Sequence, residues 1–94
     1  MIRELQTIYS SQVSFYKKAH TITTYEDNKT IIELQSYSTI VARIEIDGPQ
    51  TIYKHYGFYS NTTAKHQKEF FLQQGLNEQQ YNKLRQKQIL IINE

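Results

Sequence analysis

The chemically most versatile side chains lie in one segment, residues 53–71, which reads YKHYGFYSNTTAKHQKEFF. Aromatic rings come first, and hydroxyls and lysines follow at a predicted helix start. A helix start presents unpaired backbone N–H groups and a partial positive charge, so it attracts anions such as phosphate. Rings interleaved with lysines also suit single-stranded nucleic acid, whose bases stack on aromatic side chains. The segment therefore predicts a surface that contacts a partner.

We predict that five residues line or border this contact surface: Tyr59, Ser60, Thr62, Lys65 and His66. Capping a helix needs only one side-chain oxygen, so capping does not account for the whole cluster. Thr63 and Phe70 are interpreted as support that faces inward. The alternative interpretation is that Ser60 or Asn61 simply caps the helix and that the rings pack beneath it.

A further group of cations lies on the predicted helices: Lys68, Lys83, Arg85 and Lys87. Joined with Lys65, they would form a basic patch that attracts an anionic partner. The alternative is an ordinary solvated helix face.

Motifs for metal binding and catalysis are weak. The three histidines, His20, His55 and His66, are far apart, no HxxxH or HExxH spacing occurs, and there is no cysteine. We therefore predict no metal site and no cofactor. No GxSxG motif, P-loop or dinucleotide-binding glycine turn occurs, so we predict no catalytic residue and a binding protein rather than an enzyme. A nucleophilic serine with His66 and a carboxylate stays open as an alternative.

The composition indicates one small, soluble domain, residues 1–94, with a thin core. Hydrophobic residues make up 38% of the chain, and eight Tyr and four Phe supply much of the bulk. Because there is no cysteine for a disulfide, no signal peptide and no apolar run that could span a membrane, we expect the protein in the cytoplasm of a host cell. The net charge is only +2, with basic ends and an acidic middle between residues 21 and 50.

Hydrophobic periodicity indicates where the elements lie. Apolar side chains three and four apart predict an amphipathic helix over residues 2–16. Alternation with period two predicts antiparallel strands over residues 20–25, 30–36, 38–46 and 51–56. In the third of these strands we expect Ile40, Ala42 and Ile44 to face the core.

Two helices are predicted after the strands, over residues 62–74 and 78–88. Residues 89–92 are predicted either as a short edge strand or as a tail packed onto the sheet. Strands followed by helices, rather than alternating with them, indicate the α+β class. The expected fold is a three- or four-stranded antiparallel meander with helices packed on one face.

Three segments carry a resemblance to a known group: SFYKKAH from Ser14, LQSYSTIVARIE from Leu34 and YGFYSNTTAKHQKEFFLQQG from Tyr56. They resemble short, mostly uncharacterised proteins of phages, plasmids and related mobile elements of Gram-positive bacteria. That group shows a SFYxKA start, a SYxTxV strand and a GYYSxTTxRH helix start. The third motif is matched at Gly57, Tyr59, Ser60, Thr62, Thr63, His66 and Phe70, while Phe58 replaces a Tyr and Lys65 an Arg.

This resemblance implies a setting rather than an activity, and it brings no catalytic residue. Small accessory proteins of mobile elements often bind one macromolecule of the host or element, and inhibitors of host defence, including anti-CRISPR proteins, are a large class of this kind. One hypothesis is thus a stoichiometric inhibitor that contacts a host protein such as a defence nuclease. The other is an accessory protein that binds nucleic acid through its basic C-terminal half. Mimicry of nucleic acid by the acidic middle is disfavoured by the net charge of +2. We expect no membrane partner, and the oligomeric state stays open.

Overall fold

The computed structural model describes residues 1–12, 14–15 and 17–93. Its elements in chain order are β1 (Ile2–Glu4), β2 (Ala19–Glu26), β3 (Lys29–Ser36), β4 (Thr39–Asp47), β5 (Gln50–His55), α1 (Asn61–Gln73), α2 (Glu78–Lys87) and β6 (Ile89–Asn93). The α+β class is confirmed. The predicted number of strands is wrong, because the described residues form a sheet of six strands rather than three or four.

The sheet is an antiparallel meander in which spatial order follows chain order from β1 to β6. Tight turns connect the four strands from β2 to β5, whereas β6 follows the two helices. Asp27 and Asn28 both have positive φ, 49° and 67°, which is the geometry of a two-residue hairpin turn between β2 and β3. The four predicted strands are confirmed as β2 to β5, each to within a residue at either end. The two additional strands, β1 and β6, form the edges, so the edge-strand alternative for residues 89–92 is confirmed.

A β-bulge in β4 changes which of its side chains face the helices. Ala42 and Ile44 are buried in the core, as predicted. The register with β3 shifts just before Ala42, so that Ile40 pairs with Gln35. Neighbouring side chains on a strand point to opposite faces, so Ile40 lies on the face away from the helices, and its prediction is wrong. Val41, the additional residue, is buried in the core instead.

The helix predicted over residues 2–16 is wrong. The first residues form β1, which pairs with β2, and residues 5–12 are neither helix nor strand. Ile8 and Tyr9 are 67% and 60% exposed, so the spacing of three and four does not mark one buried face. The parts of this prediction at Val13 and Tyr16 lie outside the described residues.

Both predicted helices are confirmed to within a residue at each end. Ser60 caps α1, and Asn77 caps α2 through reciprocal bonds with Gln80, a capping box. Gly75 separates the two helices at φ 98°, which L side chains rarely adopt. The core between the helices and one face of the sheet includes Leu34, Ala42, Ile44, Tyr53, Phe70, Phe71, Tyr81 and Leu84. The start of α1 lies beside the end of β3, where Thr63 contacts Ser36.

Candidate functional site

A small cluster of hydrogen bonds holds the start of α1. Ser60 Oγ accepts a hydrogen bond from the Thr63 backbone N–H at 3.1 Å, so Ser60 does cap the helix. Thr63 is buried, and its Oγ1 lies 2.9 Å from Ser36 Oγ at the end of β3. The interpretation of Thr63 as inward-facing support is therefore confirmed, and so is that of Phe70, which is 0% exposed.

His66 belongs to the same cluster and is fully buried. Its Nδ1 lies 2.8 Å from Ser36 Oγ, and the Phe15 ring packs against it edge-on at a centroid distance of 4.5 Å. His66 therefore does not line the surface as predicted, because β3 and Phe15 cover it. Burial, and secondarily the charge of Lys18, lowers the pKa of His66 below its usual value. The neutral imidazole is thus favoured in the folded protein.

The contact between Ser36 and His66 bears on the alternative of a nucleophilic serine. The two side chains are within hydrogen-bonding distance, as such a pair requires. Ser36 is only 3% exposed and His66 is 0% exposed, so a substrate cannot reach the hydroxyl in this arrangement. The pair acts as a buried polar link between β3 and α1.

Four exposed rings lie at or beside the helix entrance, which we define as residues 56–66. Tyr56, Phe58 and Tyr59 are 42%, 71% and 47% exposed. Tyr37, in the β3–β4 turn, is 53% exposed, and its ring lies 5.9 Å from that of His66. Tyr37 was not predicted to belong to this surface, because only the fold brings the β3–β4 turn beside α1. Its place between two serines after a strand is a turn signal, but it does not reveal the neighbour.

A groove of about 560 Å³ lies between α1, α2 and the Gly57–Phe58 segment. Three cationic side chains line it: Lys65, Lys68 and Arg85. Lys68 pairs with Glu78 at 3.2 Å. Among the described residues, Lys65 and Arg85 have no acidic partner within salt-bridge distance. The groove therefore carries positive charge that the described residues do not neutralise.

The residues of the predicted contact surface and of the predicted basic patch lie in different parts of the structure. Lys65, Lys68 and Arg85 meet at the groove, whereas Lys83 and Lys87 are exposed on α2 but do not line it. Tyr59 and Ser60 are exposed and Thr62 is half-buried at the helix entrance, outside the groove lining. The groove and the helix entrance share Lys65 and Phe58, so they form one continuous region.

His55 and Gln67 line the same groove, and neither was predicted as a site residue. Both are almost completely buried, at 3% and 0% exposure. The His55 ring stacks on Phe71 with the ring centroids 6.0 Å apart. Burial, and secondarily the charge of Arg85, lowers the pKa of His55.

A smaller cavity of about 360 Å³ shares Lys65 and Lys68 with the groove. Its wall is the segment after β1, which Glu69 of α1 holds in place. The Glu69 carboxylate accepts hydrogen bonds from three consecutive backbone N–H groups, at 3.1 Å from Ile8, 3.0 Å from Tyr9 and 2.8 Å from Ser10. Glu69 is thus engaged by the protein itself.

Within the described residues no group of three or more His, Asp or Glu is placed to hold a metal ion. No helix in that part of the chain is long and apolar enough to cross a membrane. One family model, described as a family of unknown function (DUF8033), matches residues 3–89. The chain belongs to the DUF8033 family. No curated protein and no solved structure matches it.

Because the DUF8033 family has no assigned function, membership brings no active-site residue and no partner to these features. What this DUF8033 chain offers chemically is a set of exposed rings beside a basic groove. Rings supply apolar and stacking contacts, and unpaired cations supply charge-assisted hydrogen bonds. Both are means of binding.

Proposed function

We propose that this protein is a small, non-enzymatic binding protein that acts by protein–protein contact through its helix entrance. The proposed partner is a host macromolecule such as a defence nuclease, which the protein inhibits stoichiometrically in the host cytoplasm. The setting in a phage or other mobile element rests on the resemblance of the three sequence segments to proteins of such elements. The location of the proposed contact surface is inferred from the exposed side chains of the structure.

The main support for the proposed contact surface is a group of four exposed aromatic rings at or beside the helix entrance. Tyr37, Tyr56, Phe58 and Tyr59 are each between 42% and 71% exposed at or beside the helix entrance. Aromatic residues and arginine are enriched where protein interfaces gain most of their binding energy. Lys65 and Arg85 line the groove together with Phe58, and neither has an acidic partner among the described residues. Rings and free cations together favour a protein partner with an acidic, partly apolar surface.

The proposal can be tested by crosslinking in host cells with a photoreactive phenylalanine analogue at position 58. The matched control places the same analogue at Tyr25, which is 74% exposed, close to the 71% of Phe58. Tyr25 lies six residues along β2 from Ala19, the partner of Ser36 in the sheet, so it is roughly 20 Å from the helix entrance. We expect one host protein to be crosslinked from position 58 and not from position 25. Equal labelling from both positions would contradict the proposed surface.

A pair of double variants then measures the contact with the purified partner. Tyr59→Ala with Lys65→Glu changes the helix entrance, and Tyr25→Ala with Lys83→Glu makes the same two changes elsewhere. We expect the first to weaken binding about tenfold or more, as for loss of a ring and a charge at an interface centre, with a melting temperature within a few degrees of the wild type. The control should bind normally. If the first variant unfolds, capping and core packing account for these residues; if it binds normally, the contact lies elsewhere.

The second candidate function, binding of nucleic acid, is favoured by the meeting of Lys65, Lys68 and Arg85 at one groove. Retention of single-stranded DNA or RNA that falls steeply with salt would support this candidate, because each phosphate contact releases counterions. In that case Lys83→Glu would also weaken binding, whereas a protein contact at the helix entrance does not involve Lys83.

A further inference from the structure

The groove between α1 and α2 contains a buried hydrogen-bond donor without an acceptor. His55 Nδ1 accepts a hydrogen bond from the Gly57 N–H at 3.0 Å, so Nδ1 carries no hydrogen. The neutral ring must then carry its hydrogen on Nε2. This Nε2–H is buried and has no partner among the described residues.

Gln67 supplies the complementary case, a buried acceptor without a donor. Its Nε2 donates to Val41 O and to Gly57 O, both at 3.0 Å, which uses both amide hydrogens and fixes the orientation of the side chain. The Val41 carbonyl belongs to the β-bulge, so the bulge holds Gln67 in place. Gln67 Oε1 remains buried with no donor among the described residues.

Buried polar atoms nearly always have a partner, so each exception calls for a physical explanation, of which a bound ligand is one. Here an unused donor and an unused acceptor belong to two side chains that line the same groove. A ligand that satisfies both must carry an acceptor and a donor. The polar edge of a nucleobase has this arrangement.

The other residues that line the groove suit the phosphate and the ring face of a nucleotide. Lys65 and Arg85 have no acidic partner among the described residues, so they are available to a phosphate. The Phe58 ring is 71% exposed and lines the groove, so it can stack on a base. At about 560 Å³, the groove falls within the usual size of small-ligand sites.

We propose that this groove binds a nucleotide, with its phosphate on Lys65 and Arg85, its base against Phe58, and the polar edge of the base on His55 and Gln67. The donor and acceptor lie beneath the groove surface, so side chains that line the groove must shift for the base to reach them. The proposed nucleotide site recognises a different kind of ligand from the proposed protein contact. It can be tested with the purified protein alone.

The test is a calorimetric titration of the purified protein with AMP, GMP, CMP and UMP. Ribose 5-phosphate and inorganic phosphate serve as probes of the anion alone. We expect at least one nucleotide to bind about tenfold or more tightly than ribose 5-phosphate, which is the difference that base stacking supplies. No binding of any nucleotide would overturn the proposal. Equal binding of ribose 5-phosphate would overturn it too, since the groove would then hold only an anion.

Two single variants with matched controls locate the site. Phe58→Ala and Arg85→Gln should each weaken the best nucleotide about tenfold, because one loses the stacking ring and the other a charge-assisted bond. Tyr25→Ala and Arg3→Gln, which remove an exposed ring and an exposed guanidinium outside the groove, should bind as the wild type does. All four positions are exposed, so we expect the melting temperatures to stay within a few degrees. Folded Phe58→Ala and Arg85→Gln variants with normal affinity would place any nucleotide site elsewhere.

Discussion

At the scale of single residues, Glu69 shows how one carboxylate organises a segment that has no regular structure. It is 1% exposed and accepts from the backbone N–H groups of Ile8, Tyr9 and Ser10, and Gln73 Nε2 donates to it at 2.7 Å. Backbone N–H groups arranged in this way normally bind anions. Here the anion is a side chain of the same protein, so residues 8–10 are attached to α1.

We predict that Glu69→Gln destabilises the protein by about 1.5–3 kcal/mol, the usual strength of hydrogen bonds to a charged group. The amide keeps the size of the side chain but removes the charge and turns an NH₂ group toward backbone donors. Glu26→Gln, at an exposed position, should cost less than about 0.5 kcal/mol. Urea unfolding of the two variants measures the difference, and equal midpoints would show that the Glu69 contacts contribute little.

Much of the candidate site depends on contacts between residues that are far apart in the sequence. The helix start and the capping role of Ser60 could be predicted, because capping involves neighbouring residues. The burial of His66 could not, since it depends on Phe15 and β3 arriving from distant parts of the chain. The same holds for the unused polar atoms of His55 and Gln67, which become visible only once every hydrogen bond is known.

At the scale of elements, the bulge in β4 decides which residues reach the core. Local alternation placed Ile40, Ala42 and Ile44 on one face, and the bulge moves only the first of them. A bulge has no strong sequence signature when, as here, the additional residue is Val41 rather than a glycine. The hairpins, in contrast, were predictable because Asp27 and Asn28 tolerate the left-handed backbone that their turn needs.

We predict that Ile44→Ala lowers the free energy of unfolding by about 2–5 kcal/mol, because it leaves a cavity in the core. Ile44 is 1% exposed between the sheet and the helices. The matched control is Ile91→Ala in β6, where the side chain is 49% exposed and the loss should stay below about 1 kcal/mol. A loss at Ile44 as small as that at Ile91 would mean that the register of β4 differs from the one described.

The first β-strand shows the limit of periodicity for short elements. A strand of three residues is too short to display alternation, while apolar residues three and four apart over residues 2–9 imitate a helix. Only the pairing of β1 with β2 distinguishes the two possibilities, and that contact spans about twenty residues of chain.

For the whole molecule, three ionisable groups predict how stability changes with pH. Burial lowers the pKa of His55 and His66, so the unfolded chain binds protons first as the pH falls below about 6.5. A hydrogen bond from Lys54, at 3.0 Å, is the main cause that lowers the pKa of Glu45 on the open face of the sheet. The contribution of Glu45 to the free energy of unfolding is present above about pH 4.3. It is lost as the pH falls through the folded-state pKa of Glu45.

We therefore expect the free energy of unfolding to be constant between about pH 7 and pH 8, to fall below about pH 6.5, and to fall again below about pH 4.3. Urea unfolding between pH 8 and pH 3.5 checks this. His66→Gln should make the first fall shallower, whatever its effect on absolute stability, because one of the two buried histidines is gone. A profile that is flat between pH 7 and pH 5 in the wild type would contradict the burial of both rings.

The attachment of the N-terminal segment to Glu69 also has a consequence for the order in which the protein assembles. The hairpins of the meander close over a few residues, whereas the bond from Ile8 to Glu69 joins residues 61 positions apart. Closing a longer loop loses more chain entropy, and the anchoring carboxylate is in position only after α1 has formed. We infer that this segment docks late during folding and detaches early during unfolding. A chain that has lost this tether still keeps its four central strands and both helices, so local opening begins beside the cavity that the segment borders.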